Sequence, residues 1–137
     1  MNEEIARLLL AVSRSPDDSE LHQCLGKAYI KQHDYTAAQS AYARAIELNP
    51  QNPWNHLYAG NASYSLDDYT QALQHFEAAR RLAPRLAIVW VSMADCHAAL
   101  GQFAAASSCY QTAVEVEPLN ETALKNLARF QQWQRTN

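Results

Sequence analysis

Five histidines (His22, His33, His56, His75, His97) and three cysteines (Cys24, Cys96, Cys109) are the side chains of this sequence best suited to act as nucleophile, general base or metal ligand. Their spacing does not assemble a site. Cys96 and His97 are adjacent and so lie on different sides of one helix, where thiol and imidazole cannot converge as nucleophile and base. The cysteines form no CxxC pair and no histidine follows at zinc-finger spacing, which argues against both a disulfide framework and a zinc site. The acid pairs Glu3–Glu4, Asp17–Asp18 and Asp67–Asp68 point apart on a helix and suit helix starts, where a carboxylate meets free backbone N–H groups. No glycine-rich phosphate loop, serine elbow or HExxH motif occurs. The expectation is a protein that is not an enzyme and needs no cofactor and no metal.

Binding is what remains, and composition narrows the partner. A chain of 137 residues fits one domain, and 48% hydrophobic with 18% charged residues supplies a core and excludes a disordered, charge-rich class. Only three glycines among many Ala, Leu, Gln, Glu and Arg favour an all-α fold. A net charge of -3 without any Lys/Arg run excludes the electrostatics of a nucleic-acid binder. The apolar stretch Ile5–Val12 is interrupted by Arg7 and preceded by Glu3 and Glu4, the wrong sign for a secretory leader, and no membrane span is expected. Three unpaired cysteines fit a reducing cytoplasm, the expected location.

The elements that position any binding surface follow from a repeat of 34 residues. Pro16, Pro50, Pro84 and Pro118 fall on it, as do Ala38, Ala72 and Ala106, and Ala45, Ala79 and Ala113. Near-matching columns are Tyr35, Tyr69 and Phe103; Tyr42, Phe76 and Tyr110; Leu48, Leu82 and Val116; and Gly26, Gly60 and Ala94. Small residues let two helices approach, aromatics fill the gaps between them, and proline ends each unit because it cannot continue a helix. Helical apolar spacing covers residues 19–32 and 35–48, 53–66 and 69–82, and 87–100 and 103–116, so each unit is a helix hairpin. Asp34, Asp68 and Gly101 or Gln102 lie in the turns, where capping residues belong.

The stretch CLGKAYIKQHDYTAAQSAYARAIELNPQN, Cys24 to Asn52, resembles the tetratricopeptide repeat consensus almost throughout. The resemblance implies one domain over 1–137: a partial unit at 1–15, repeats at 19–52, 53–86 and 87–120, and a closing helix within 121–137. It implies eight helices in a right-handed superhelix of antiparallel hairpins. Ala94 departs from the glycine of its column, and Ser63 and His97 replace the large residue that Tyr29 supplies. His22 and His56 stand where many relatives carry Trp, a packing position, whereas His33 and His75 are expected in solvent. Terminal units of a stack expose one face and must be atypical. The closing helix is expected to bury Leu124, Leu127 and Ala128 and to show water Lys125, Gln131 and Arg135.

Carrying over the family's groove-facing positions gives Lys27 and Lys31 in the first repeat, Trp54, Leu57, Asn61 and Tyr64 in the second, Ile88, Val91 and Asp95 in the third, and Lys125 and Arg129 in the closing helix. An apolar middle (Trp54, Leu57, Tyr64, Ile88, Val91) flanked by cations suits an amphipathic helix or extended segment with apolar anchors and acidic neighbours. Asn61, with donors and an acceptor, is placed to hold a bound main chain. Two other readings stay open: these residues pack as core, leaving a polar groove, or the stripe meets a second copy of the chain. The expected partner is therefore another protein or peptide, with homo-oligomerisation as the alternative.

Family members that grip heat-shock chaperone tails use Lys and Asn in one first helix, Asn in the next, and Lys and Arg in a third. Here those positions hold Gln23 and Lys27, Tyr58, and Ile88 and Ser92; a shift by one unit gives Leu57 and Asn61, Ser92, and Thr122 and Asn126. Without the cationic pair, chaperone-tail binding is not expected.

Overall fold

The computed structural model describes residues 2–137. Among them run eight helices and no strand: α1 (Glu3–Arg14), α2 (Ser19–Lys31), α3 (Tyr35–Leu48), α4 (Pro53–Ser65), α5 (Tyr69–Leu82), α6 (Ala87–Ala99), α7 (Phe103–Val116) and α8 (Glu121–Thr136). Short polar side chains start most of them. Asn2, Asp18, Asp34, Asn52, Asp68 and Asn120 each accept a backbone N–H of the first turn. Leu86 and Gln102 cannot or do not cap α6 and α7 with a side chain. At α6 the Glu117 carboxylate takes over, accepting from the Ala87 N–H at 2.5 Å.

The turn inside each hairpin places one residue in the left-handed region: His33 at φ 58°, Asp67 at φ 60° and Gly101 at φ 75°. Nothing lies within 4 Å of a Cβ built on Gly101, so a substitution there meets backbone strain alone. Gly101→Ala is expected to lower stability by about 1 kcal/mol, read as a shifted midpoint of urea unfolding with unchanged slope.

Packing explains the repeat columns. Ala38, Ala72, Ala106, Ala45, Ala79 and Ala113 are fully buried. Gly26 faces Tyr42 and Gly60 faces Phe76 so closely that a methyl group on either would overlap the ring. The third unit carries Ala94 in that column, and its ring, Tyr110, lies 5.1 Å from Phe130 and donates its hydroxyl proton to Asp95. His22 and His56 occupy one column with Trp90, and all three ring nitrogens meet the carbonyl of the preceding proline column: Pro16 at 2.8 Å, Pro50 at 2.9 Å and Pro84 at 2.8 Å. Both imidazoles must carry their proton on Nε2 to donate there. Asn55 is fully buried and fully partnered, accepting from Gln23 at 2.7 Å and donating to the Ala45 and Asn49 carbonyls at 3.3 Å.

Curvature follows from which helices touch. The first helices of successive units meet (α2 with α4, α4 with α6, α6 with α8), whereas α3, α5 and α7 do not meet one another among the described residues. A layer closed inside and splayed outside curves, with its concave face over the first helices.

Two expectations about exposure need correction. The closing helix buries Ala123 and Phe130 and half-buries Leu127, while Leu124 and Ala128 stay exposed. In a full repeat the position of Ala128, shared with Gly26 and Gly60, packs on that unit's own second helix, and α8 has none among the described residues. His75 is half-buried rather than solvated, and burial followed by His56 pushes its pKa down. His33 is exposed, as its turn position dictates.

Candidate functional site

The groove-facing set divides into buried, half-buried and exposed residues, and that division decides what a partner can reach. Leu57 and Val91, expected on the surface, are 2% and 3% exposed. Both lie on first helices, and the contacts of α4 with α2 and α6 close over them, so they are core. Ile88 is half-buried against the same core. The remaining expected residues form two stations along the concave face.

The first station lies over α2 and α4. Lys27 and Asn61 share a cavity of about 310 Å³ with Ile30, Tyr42, Tyr58 and Ser65. The Lys27 ammonium stands 4.6 Å from the centre of the Tyr58 ring, held by cation–π attraction. Trp54, 41% exposed, packs beside the same ring at 5.9 Å but opens into a separate depression with Pro53, Pro84 and Leu86. Lys31 is drawn aside toward α1, its ammonium 3.5 Å from the Glu4 carboxylate. That pair is too exposed to contribute much stability.

The second station is larger. Tyr64, Asp95 and Arg129 line a cavity of about 510 Å³ between α4, α6, α7 and α8. Its walls are aromatic: Phe103 and Trp133 approach to 4.7 Å, and Phe130 lies 5.8 Å from Trp133. Lys125 is exposed on α8, the helix that carries Arg129. Sequence reasoning missed Phe103, Tyr110 and Phe130 as site residues. Phe103 and Tyr110 fall in packing columns of the repeat, which hides their place in the cavity wall.

Asp95 is the only carboxylate among the residues lining this cavity. Burial raises its pKa, against the opposing effects of the Tyr110 hydroxyl and the Arg129 guanidinium. A carboxyl whose folded pKa lies above its ordinary value binds extra protons in the folded state, so this group lowers stability as pH rises through the window between the two values. Asp95→Asn keeps an acceptor for Tyr110 and removes the charge. The variant should melt at higher temperature than the parent at pH 7, with the difference closing below about pH 4, where an unfolded aspartic acid is also protonated.

The reactive side chains remain apart from these stations' chemistry. Burial, then Asp95, pushes the Cys96 thiol up to about 12, which leaves it protonated at neutral pH. Among the described residues no three His, Cys, Asp or Glu side chains come together to hold a metal ion, and no helix is long and apolar enough to cross a membrane.

Two family models described as tetratricopeptide repeat match the chain, one over residues 25–87 and the other over 64–130. The small glutamine-rich tetratricopeptide repeat-containing protein 2 of Mycosarcoma maydis is 30% identical over 103 residues, 75% of this chain and 29% of that protein. Serine/threonine-protein phosphatase 5 of Homo sapiens is 34% identical over 105 residues, 69% of this chain and 19% of that protein. The chain thus spans under a third of the length of either relative. Among solved structures, MamA superposes with a TM-score of 0.86 at 16% identity, covering 95% of this chain and 76% of that one. The first tetratricopeptide domain of Spaghetti (RPAP3), bound to an HSP90 peptide, superposes with a TM-score of 0.78 at 22% identity, covering 85% of this chain and 93% of that one. At these identities the superpositions establish the fold.

Proposed function

The chain belongs to the tetratricopeptide repeat family, and on that premise we propose that it is a non-catalytic module that holds a peptide or helical segment of a partner protein on its concave face. The observation that carries this reading is the meeting of Tyr64, Asp95 and Arg129 in one aromatic-walled cavity on that face. A cavity of that size takes one or two side chains of a bound segment. Lys27 and Arg129, exposed in the linings of the two cavities, favour acidic residues beside the apolar anchors.

A chaperone tail is a poor candidate despite the peptide held by the Spaghetti domain. The positions where the family resemblance implies the clamp's Lys and Arg hold Ile88 and Ser92 here, or Thr122 and Asn126 one unit on, and Ile88 is half-buried against the core. Titration with an acidic C-terminal pentapeptide is expected to give no micromolar binding; such affinity would overturn this exclusion. The alternative in which the apolar stripe joins two copies of the chain loses Leu57 and Val91 to the core.

The test is selection from a displayed random-peptide library, followed by affinity measurement on the wild type, a Lys27→Glu, Arg129→Glu variant, and a Gln74→Glu, Arg81→Glu variant on second helix α5. Loss of about tenfold or more in the first variant and none in the second supports the reading. Equal loss in both, or selection of no peptide, removes it.

A further inference from the structure

The C-terminal cavity has a chemistry specific enough to name its occupant. Its apolar walls, Phe103, Phe130 and Trp133, exclude water from one side, and Phe103 and Trp133 are each 40% exposed although aromatic. Asp95 is half-buried in the same wall, and only one of its oxygens, Oδ1, has a protein donor among the described residues, the Tyr110 hydroxyl. Arg129 belongs to the lining but forms no ion pair with Asp95.

Three classes of side chain are disfavoured by this arrangement. A carboxylate would face Asp95 at close range. A purely apolar group would complete the burial of Asp95 while leaving its second oxygen without a partner, a net loss for a charged group. A lysine or arginine would satisfy Asp95 but would place a second cation beside Arg129. A neutral aromatic ring that carries a hydrogen-bond donor meets every requirement. It stacks on the aromatic walls, gives its proton to Asp95, and leaves Arg129 for an acidic neighbour on the same segment.

We infer that the cavity between α4, α6, α7 and α8 is the anchor site for a tryptophan or tyrosine side chain of a partner segment, with an acidic residue beside that anchor paired to Arg129. This inference deepens the binding reading above and rests on it. At the polar end of the site Tyr110 donates its hydroxyl proton to Asp95.

The test uses the full chain, isotope-labelled, with four capped tripeptides in which Trp, Tyr, Phe or Lys stands between two aspartates. The Trp and Tyr peptides should shift the amide signals of Tyr64, Asp95, Arg129 and Trp133, with affinity about tenfold above the Phe peptide. Asp95→Asn, expected to stay folded, should bring the Trp-to-Phe ratio near one, and Arg129→Glu should weaken the acidic peptides without changing that ratio. Equal binding of Trp and Phe to the parent chain, or preference for Lys, overturns the inference. Shifts confined to Lys27 and Asn61 would also overturn it, while leaving the broader reading of the concave face in place.

Discussion

Leu57→Asp unfolds this protein at ordinary temperature or lowers its melting temperature by about 15 °C, whereas Trp54→Asp, three residues away on the same helix, leaves it folded. Leu57 is 2% exposed, enclosed where α2, α4 and α6 meet. A carboxylate placed there has no cation or hydrogen-bond donor to replace water, and an unpaired charge in such a site costs about 4 kcal/mol or more, a large share of the whole stability of a domain this size. Trp54 is 41% exposed, so its replacement removes only partial packing on Tyr58. Circular dichroism during a thermal ramp separates the two. A folded Leu57→Asp variant would mean that the first helices part easily enough to hydrate the position. The same burial disqualifies Leu57 and Val91 as places to probe binding, since loss of a partner there would report loss of fold.

The second large effect comes from a single methyl group. Gly60→Ala is expected to destabilise by about 2–3 kcal/mol, roughly 10 °C in melting temperature. A Cβ at residue 60 would lie 2.7 and 2.9 Å from Cδ1 and Cζ of Phe76, and that ring, 1% exposed, has no space to yield. The overlap belongs to the pair rather than to glycine alone. Combining Gly60→Ala with Phe76→Leu should therefore be less damaging than the sum of the two single changes. Additivity in that cycle would contradict the packing account.

Much of this architecture was legible in the sequence because repetition supplies its own comparison. The proline, alanine and aromatic columns place all eight helices to within a residue or two of their observed ends, and Asp34 and Asp68 cap α3 and α5 as their positions imply. The site was less legible, for reasons that lie in how units meet. Helical periodicity puts Leu57 on the concave side of its own helix but carries no information about how far a neighbouring first helix covers it. The closing helix differs from expectation for a similar reason: the position of Ala128 is covered in full repeats by a second helix that α8 lacks among the described residues. Asn55 gave no signal either, because an asparagine in a helix reads as solvent-facing until Gln23 and the Ala45 and Asn49 carbonyls are brought around it.

The central claim is that the concave face holds another protein, and a photo-crosslinking residue placed at Asn61, compared with one at Gln74 on α5, tests it most directly in the native cell extract. Both positions are exposed, on a first and a second helix respectively. The account predicts a discrete cross-linked product with a different protein from position 61, lost when Arg129→Glu is added, and none from position 74. Products from both positions alike, or a product from position 61 that contains only a second copy of this chain, would contradict it.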